Sequence, residues 1–400
     1  MKIAIIAPTQ IPARRANTVQ VMKMTQALAA IGHTVCLLAP QTPGGPIDLG
    51  VPDWDQLAHH YGLQHAFPIE WLPASPRLRR YDFSWRAVSR ARRWQADLIY
   101  TRLPQAAALA SQMSLPTVLV IHDIPQGALG PQVLRLFLKG KGAYRLVVIT
   151  QALAADLQSR FGLAADSPLT VIAPDGVDLE RYAGLPAPEQ ARLALARSTT
   201  AEWGAALKAE RFTAGYTGHL YAGRGVEMLL EVAARLPEMN FLIAGGEPQD
   251  VERVRLQAQS ARLKNLLLTG FVPNADLPRY QAACDVLIMP YQRRVAASSG
   301  GDISRYLSPM KLFEYLACER PILSSDLPVL QEVLHPKNAL LLPGDDIGAW
   351  VAALQKLQAE PGLRRQLATQ AREDARQYTW EARASKILPK QVAAGGKING

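Results

Sequence analysis

Apolar residues along the chain fall into two alternating patterns: short unbroken runs, and longer stretches whose apolar positions lie three and four apart. The runs predict buried strands and the stretches predict helices laid over them, an alternation that builds parallel sheets. In the first half the expected strands are 2–8 (KIAIIAP), 34–40 (TVCLLAP), 97–102 (DLIYTR), 117–123 (TVLVIHD), 145–150 (RLVVIT) and 169–176 (LTVIAPDG). Between the first two, Val21, Met24, Leu28 and Ile31 share a helix face, with Asn17 or Thr18 as N-cap and Gly32 as the stop. The pattern loosens after 179 and restarts with strands at 212–218, 240–246, 265–270, 285–291, 321–325 and 339–344. Val226, Leu229, Leu230, Ala233 and Leu236 mark a helix among them. Two doubly wound α/β halves follow. The expected boundaries are a first domain over 1–180, a linker with peripheral helices over 181–210 and a second domain over 211–370. A helix over 371–390 is expected to cross back to the first domain, and 391–400 to be a disordered tail.

Composition narrows the class. The chain has 400 residues, 48% of them hydrophobic and 20% charged, which excludes disordered, collagen-like and coiled-coil chains. No apolar run reaches the ~18 residues of a membrane-spanning helix. The opening MKIAIIAP reads as a buried strand rather than a signal peptide, so a cytoplasmic location is expected. Cys36, Cys284 and Cys318 are widely spaced in apolar surroundings and form no disulfide or zinc pattern; they are expected to be small buried hydrophobes.

The net charge of +10 points to an anionic partner: nucleic acid, a phosphorylated substrate or an acidic membrane face. No nucleic-acid-binding signature accompanies it, so nucleic acid is excluded. Much of the charge is concentrated between Arg77 and Trp94, where arginines interleave with aromatics. That composition suits docking onto anionic lipid on the inner face of the membrane; the plainer alternative is a solvated helix with snorkelling arginines. The candidate membrane contacts are Arg79, Arg80, Trp85, Arg86, Arg90, Arg93 and Trp94.

Ligands of doubly wound sheets bind at the carboxyl ends of strands, so the chemistry is sought in the loops that follow them. The first, PTQIPARRANT, has no glycine, which excludes a nicotinamide-dependent dehydrogenase, and no phosphate-loop motif of NTPases occurs. The loop at 218–227 (GHLYAGRGVE) offers glycines for close backbone approach and Arg224 beside a helix N-terminus, an arrangement suited to a diphosphate. In SPMKLFEYLA, Ser308 and Pro309 are placed to start a helix that carries Lys311 and Glu314 on one face. Lys311 and the helix N-terminus would meet phosphates and Glu314 a ribose hydroxyl; the alternative is a surface ion pair. Asp53-Trp54-Asp55 mimics a metal-binding DxD but lies in a polar segment and reads as surface.

Together these stretches resemble the retaining glycosyltransferases of family 4. The resemblance rests on YTGHLYAGRGVEMLL, FLIAGGEP, LLLTGFVPNADLPRYQAACDVLIMPY and SPMKLFEYLACERPILSSDLPVLQEVL, and more loosely on ALAAIGHTVCLLAP, VLVIHDIP and VIAPDGVDLERY. It spans about residues 1–380. It implies the GT-B fold: two doubly wound Rossmann-like domains facing a central cleft. The donor, a nucleotide diphosphate sugar and most simply a UDP- or GDP-linked one, would be held by the second domain; no separate cofactor and no metal are implied.

Carried over by position, the donor site comprises Gly218, His219, Arg224, Gly246, Val272, Asp302, Ser308, Pro309, Met310, Lys311 and Glu314. His219 stands where the family commonly has a cation. Glu314 matches the second glutamate of the family's E-x7-E motif; Tyr306 occupies the first position, and Asp302 is a candidate substitute. His122 matches the histidine beside the transferred sugar. With Arg224, Lys311 and Glu314 it makes up the expected catalytic set. Arg14, Arg15, Asn17 and Thr18, with His122, would receive a saccharide or lipid-linked acceptor, and the two arginines imply a phosphate-bearing one. The expected activity is hexosyl transfer with retention in cell-envelope or exopolysaccharide synthesis. Its rivals are a GT-B enzyme acting on a small soluble acceptor and a non-catalytic sugar-nucleotide- or glycan-binding protein.

Overall fold

A strand with apolar residues at consecutive positions is stable only when both sheet faces are covered, and β1 (Lys2–Ile6) is buried from Ile3 onward. In the computed structural model, which describes all residues except 44–49, 79, 164–166, 200–201, 297–300 and 389–400, this strand lies inside a parallel sheet. The other strands are β2 (Thr34–Gln41), β3 (Ile69–Pro73), β4 (Leu98–Thr101), β5 (Thr117–Ile121), β6 (Ala143–Val148) and β7 (Thr170–Ile172). Their order is β3-β2-β1-β4-β5-β6-β7. The chain builds outward from β1 in one direction, then returns to its other side through β4. Adjacent strand ends at that reversal form the place where a doubly wound sheet binds ligands. A second parallel sheet contains β8 (Thr213–Thr217), β9 (Asn240–Ala244), β10 (Leu266–Gly270), β11 (Val286–Met289), β12 (Ile322–Ser325) and β13 (Ala339–Leu342). Its order is β10-β9-β8-β11-β12-β13, with the reversal between β8 and β11.

The chain divides into two compact units, Met1–Asp175 with the segment from Trp380, and Gly176–Thr379. Three details differ from the sequence expectation. The edge strand β3 was not anticipated: its IEWLP run is only partly buried and ends in proline, so it carries a weak strand pattern. Residues 181–210, expected to be a linker, pack inside the second unit. Ala191, Leu195 and Leu207 share a core with Leu287 and Phe313. Arg192 pairs with Asp285 at 2.7 Å, and Asp285 accepts in turn from the Thr213 N–H of β8 at 2.8 Å. The final helical stretch is broken: Pro361–Ala375 belongs to the second unit and Trp380–Ile387 packs on the helix Ala16–Ala30 of the first. The expected tail over 391–400 lies outside the described residues. All three cysteines are free and buried.

Candidate active site

In the second unit the loops after β8 and β11 meet at the sheet's reversal. Gly218, directly after β8, has φ 128°, and a Cβ there would lie 2.8 Å from the Lys311 Nζ. Gly225 has φ 79°, and its Cβ would fall 1.8 Å from the Pro290 carbonyl oxygen. Only glycine serves at either place, because the conformation is left-handed and the space is already filled. The loop therefore lies flat against residues 290–295, with Arg224 beside Tyr291 and its guanidinium donating to that hydroxyl at 3.2 Å.

Lys311 reaches the same spot from the helix Met310–Ala317. Its Nζ sits 3.5 Å from the ring centroid of Tyr216 and, though buried, has no hydrogen-bond partner among the described residues. Burial first, and the neighbouring Arg224 second, hold its pKa well below the usual lysine range, with Glu314 partly opposing them. The Arg224 Nε and the His219 Nδ1 are likewise buried without partners. The His219 ring stacks on Tyr221 at 4.7 Å. Burial, then Arg224 and Lys311, lower its pKa to about 4, so it is neutral at pH 7. Buried donors without acceptors are costly unless a ligand supplies them. This cluster of donors, two of them cationic groups, has the chemistry of a phosphate site.

Glu314 lies one turn along from Lys311. Its carboxylate accepts from the Gln281 amide at 3.2 Å and the Asn274 amide at 3.5 Å. Asn274 is held in turn by Arg181, whose guanidinium donates to its Oδ1 at 2.8 Å. These three residues fix the carboxylate's direction. No side chain caps the helix Met310–Ala317: Pro309 stands at the N-cap, and Ser308 lies one residue before it. Asp302 Oδ1 accepts from the backbone N–H groups of Val295 and Ser304, at 3.0 and 2.9 Å. Those bonds depress its pKa and tie the carboxylate to its own loop. Tyr306 is buried in a single helical turn. Gly246, after β9, packs against Leu220, and Val272, after β10, is buried.

In the first unit His122 follows β5 and faces Asp175, Nε2 to Oδ2 at 3.8 Å. Burial first and Arg102 second lower its pKa to about 4 despite the carboxylate, leaving it neutral at pH 7. The loop after β1 is pinned elsewhere: Ala13 N–H donates to the Tyr61 hydroxyl at 2.7 Å, and Trp71 Nε1 to the Ile11 carbonyl at 3.1 Å. Arg14 and Arg15 are exposed on it. The helix begins one residue before Asn17 and is flanked by Arg15, with no side-chain cap, which corrects the expectation of Asn17 or Thr18 as N-cap. Thr18 is fully buried, and its hydroxyl lies within bonding distance of the Ala13 and Arg15 carbonyls, 2.7 and 2.8 Å away. That commits it to the loop. Asn17 Oδ1 accepts from the Thr9 hydroxyl at 3.4 Å.

The arginine-rich segment forms the helix Tyr81–Arg93. Two of its expected membrane residues serve the fold: Arg80 donates to the Pro8 carbonyl, and Arg90 pairs with Glu70 of β3 at 2.8 Å. Trp94 is half-buried with Lys2 over its ring. Trp85, Arg86 and Arg93 instead line an exposed groove of about 620 Å³ with Leu72, Arg92 and Met113. Trp85 is 62% exposed. Arg79 lies outside the described residues. Asp53 caps the helix Trp54–Tyr61 by accepting from Gln56 N–H at 2.7 Å.

Residues 18–181 match the model of "Glycosyltransferase Family 4" and residues 211–360 that of "Glycosyl transferases group 1". The chain is a family 4-type glycosyltransferase. A phosphatidyl-myo-inositol mannosyltransferase of Mycolicibacterium smegmatis is 24% identical over 97% of this chain and 92% of its own. A 2-deoxystreptamine glucosyltransferase of Streptomyces kanamyceticus is 27% identical over 68% of this chain and 74% of its own. A Bacillus subtilis relative is matched over only 36% of its length, at 27% identity. Among solved structures, sucrose-phosphate synthase of Thermosynechococcus elongatus superposes with a TM-score of 0.70, at 21% identity over 96% of both chains. Anabaena HepE in complex with UDP and glucose gives 0.70, at 19% identity over 97% of this chain and 98% of that one. The fold of this glycosyltransferase is therefore GT-B. The structure brings together Arg224, Lys311 and Glu314, which the motifs had singled out. Sequence reasoning missed Tyr216, Asn274 and Gln281 around them, and Arg102, Asp175 and Arg383 around His122. Asn274, Gln281 and Asp175 lie inside the very stretches that carry the resemblance, but nothing in their spacing marks them as partners.

Proposed function

We propose that this glycosyltransferase moves a hexose, with retention and without a metal, from a nucleotide diphosphate sugar to a saccharide or lipid-linked acceptor of the cell envelope. The reading is carried by the unpartnered, buried Lys311 ammonium beside Arg224 and the Gly218 backbone. In it, Lys311 and Arg224 hold the diphosphate and stabilise the charge that grows on it as the glycosidic bond breaks. Glu314, oriented by Gln281 and Asn274, accepts a ribose hydroxyl. The acceptor oxygen attacks from the face the diphosphate leaves, and its proton passes to the departing phosphate oxygen. A titratable base is then not required, which agrees with a neutral His122. An acceptor on a lipid is favoured because the M. smegmatis relative is named for phosphatidyl-myo-inositol and because the groove beside Trp85 carries three arginines.

Thermal stabilisation against UDP, GDP, ADP and their sugars, with and without magnesium, tests the donor site. A ligand at 100 times its Kd adds about 2.7 kcal/mol. A shift selective for one base and indifferent to magnesium is expected. No shift with any nucleotide would overturn the reading and favour a non-catalytic glycan-binding role.

A further inference from the structure

Four polar side chains from distant parts of the first unit converge at the carboxyl ends of its strands. Arg102 follows β4, His122 follows β5, Asp175 follows β7, and Arg383 comes from the C-terminal helix Trp380–Ile387. Arg383 donates to the Pro174 carbonyl at 2.9 Å and to the Tyr100 hydroxyl at 3.1 Å, and its Nε stands 4.0 Å from Asp175 Oδ1. Its side chain is 2% exposed and that of Asp175 6%. Arg102 donates to Gln20 at 3.3 Å. The only acidic group in the cluster therefore sits among two guanidinium groups and one imidazole. Burial alone would raise the Asp175 carboxyl; the adjoining His122 ring, followed by Arg383 and Arg102, brings it below the usual range.

A buried carboxylate that stays ionised can do one thing for a neutral imidazole: choose its tautomer. Both ring nitrogens are buried with no hydrogen-bond partner among the described residues, and the one that faces Asp175 is Nε2, at 3.8 Å. We propose that Asp175, itself held by Arg383 of the C-terminal helix, is a positioning residue that draws the His122 proton to Nε2 and leaves Nδ1 as an acceptor for a substrate hydroxyl. The inference rests on the reading that His122 lies beside the transferred sugar. No covalent bond forms or breaks at the histidine and no proton is lost. The 3.8 Å separation closes to a hydrogen bond when substrate presses on the ring, as such contacts do on complex formation.

The wild-type protein tests this directly. Side-chain ¹⁵N spectra of His122, assigned by its loss in His122→Gln, should show a protonated Nε2 and an unprotonated Nδ1 at neutral pH. Asp175→Asn keeps the shape but turns its NH₂ toward His122 and its oxygen toward Arg383. It should move the proton to Nδ1 and lower kcat at least roughly tenfold while nucleoside diphosphate affinity stays unchanged. Arg383→Lys should retain the wild-type tautomer better than Arg383→Ala. A wild-type His122 protonated at Nδ1, or an Asp175→Asn enzyme with unchanged tautomer and kcat, would overturn the proposal. If Asp175→Asn fails to fold, the wild-type spectrum still decides. A wild type that transfers no sugar would overturn the functional reading, while the tautomer would be judged by the spectra alone.

Discussion

Lys311 is the residue on which the proposed donor site turns. Its ammonium is removed from water and faces an aromatic ring and another cation, which draws its pKa down in the free protein. A diphosphate placed there restores the charge, so the bound form has the higher pKa. Between those two values binding takes up a proton, and affinity falls as pH rises through that window. Calorimetry of nucleoside diphosphate binding in buffers of different ionisation enthalpy should report net proton uptake at pH values between the lowered free-protein value and the ordinary lysine range. Lys311→Met should abolish that uptake and weaken binding by about 2 kcal/mol, roughly 30-fold. An unchanged proton balance would remove Lys311 from the phosphate site. The residue was legible from its motif, three positions before Glu314. That its charge is depressed was not, because burial depends on Tyr216 of β8 and Tyr291 of the loop after β11, which lie far from it in the chain.

At the scale of elements, residues 181–210 show how a loosened pattern misleads. Their helices are short and polar on most faces, since they cover one edge of a core rather than lie within it. What ties them down is Arg192, 3% exposed, which donates to the Ala209 and Ala283 carbonyls besides its pair with Asp285. Removing one partner of a buried pair leaves the other uncompensated. Arg192→Ala should therefore lower the denaturant stability of the second unit by about 3–5 kcal/mol. A true linker would show almost no change. Arg181 extends the same logic into the site, since it holds the Asn274 that orients Glu314.

Over the whole molecule the net charge of +10 is not spread evenly in its effect. Arg80 and Arg90 are bound into the fold, whereas Arg86, Arg92 and Arg93 surround the apolar walls of the groove at Trp85. Flotation with anionic vesicles at low salt should be lost in Arg86→Ala/Arg93→Ala and fade with added salt in the wild type. No flotation of the wild type would leave the groove a solvated surface. Among the described residues no helix is long and apolar enough to cross a membrane. Hydrophobic periodicity was enough to establish the paired doubly wound sheets, and the two glycine- and lysine-bearing motifs were enough to single out Arg224, Lys311 and Glu314 as the residues proposed to hold the donor. Burial patterns repeat locally and a loop motif is contiguous. Only the tertiary structure decided which polar groups are free. It set Thr18, Asp302, Arg80 and Arg90 to holding the fold, and it brought Arg383 from the end of the chain to Asp175 and His122. A polar side chain's role is fixed by its partners, and those are chosen by how strands and helices far apart in the chain come to lie side by side.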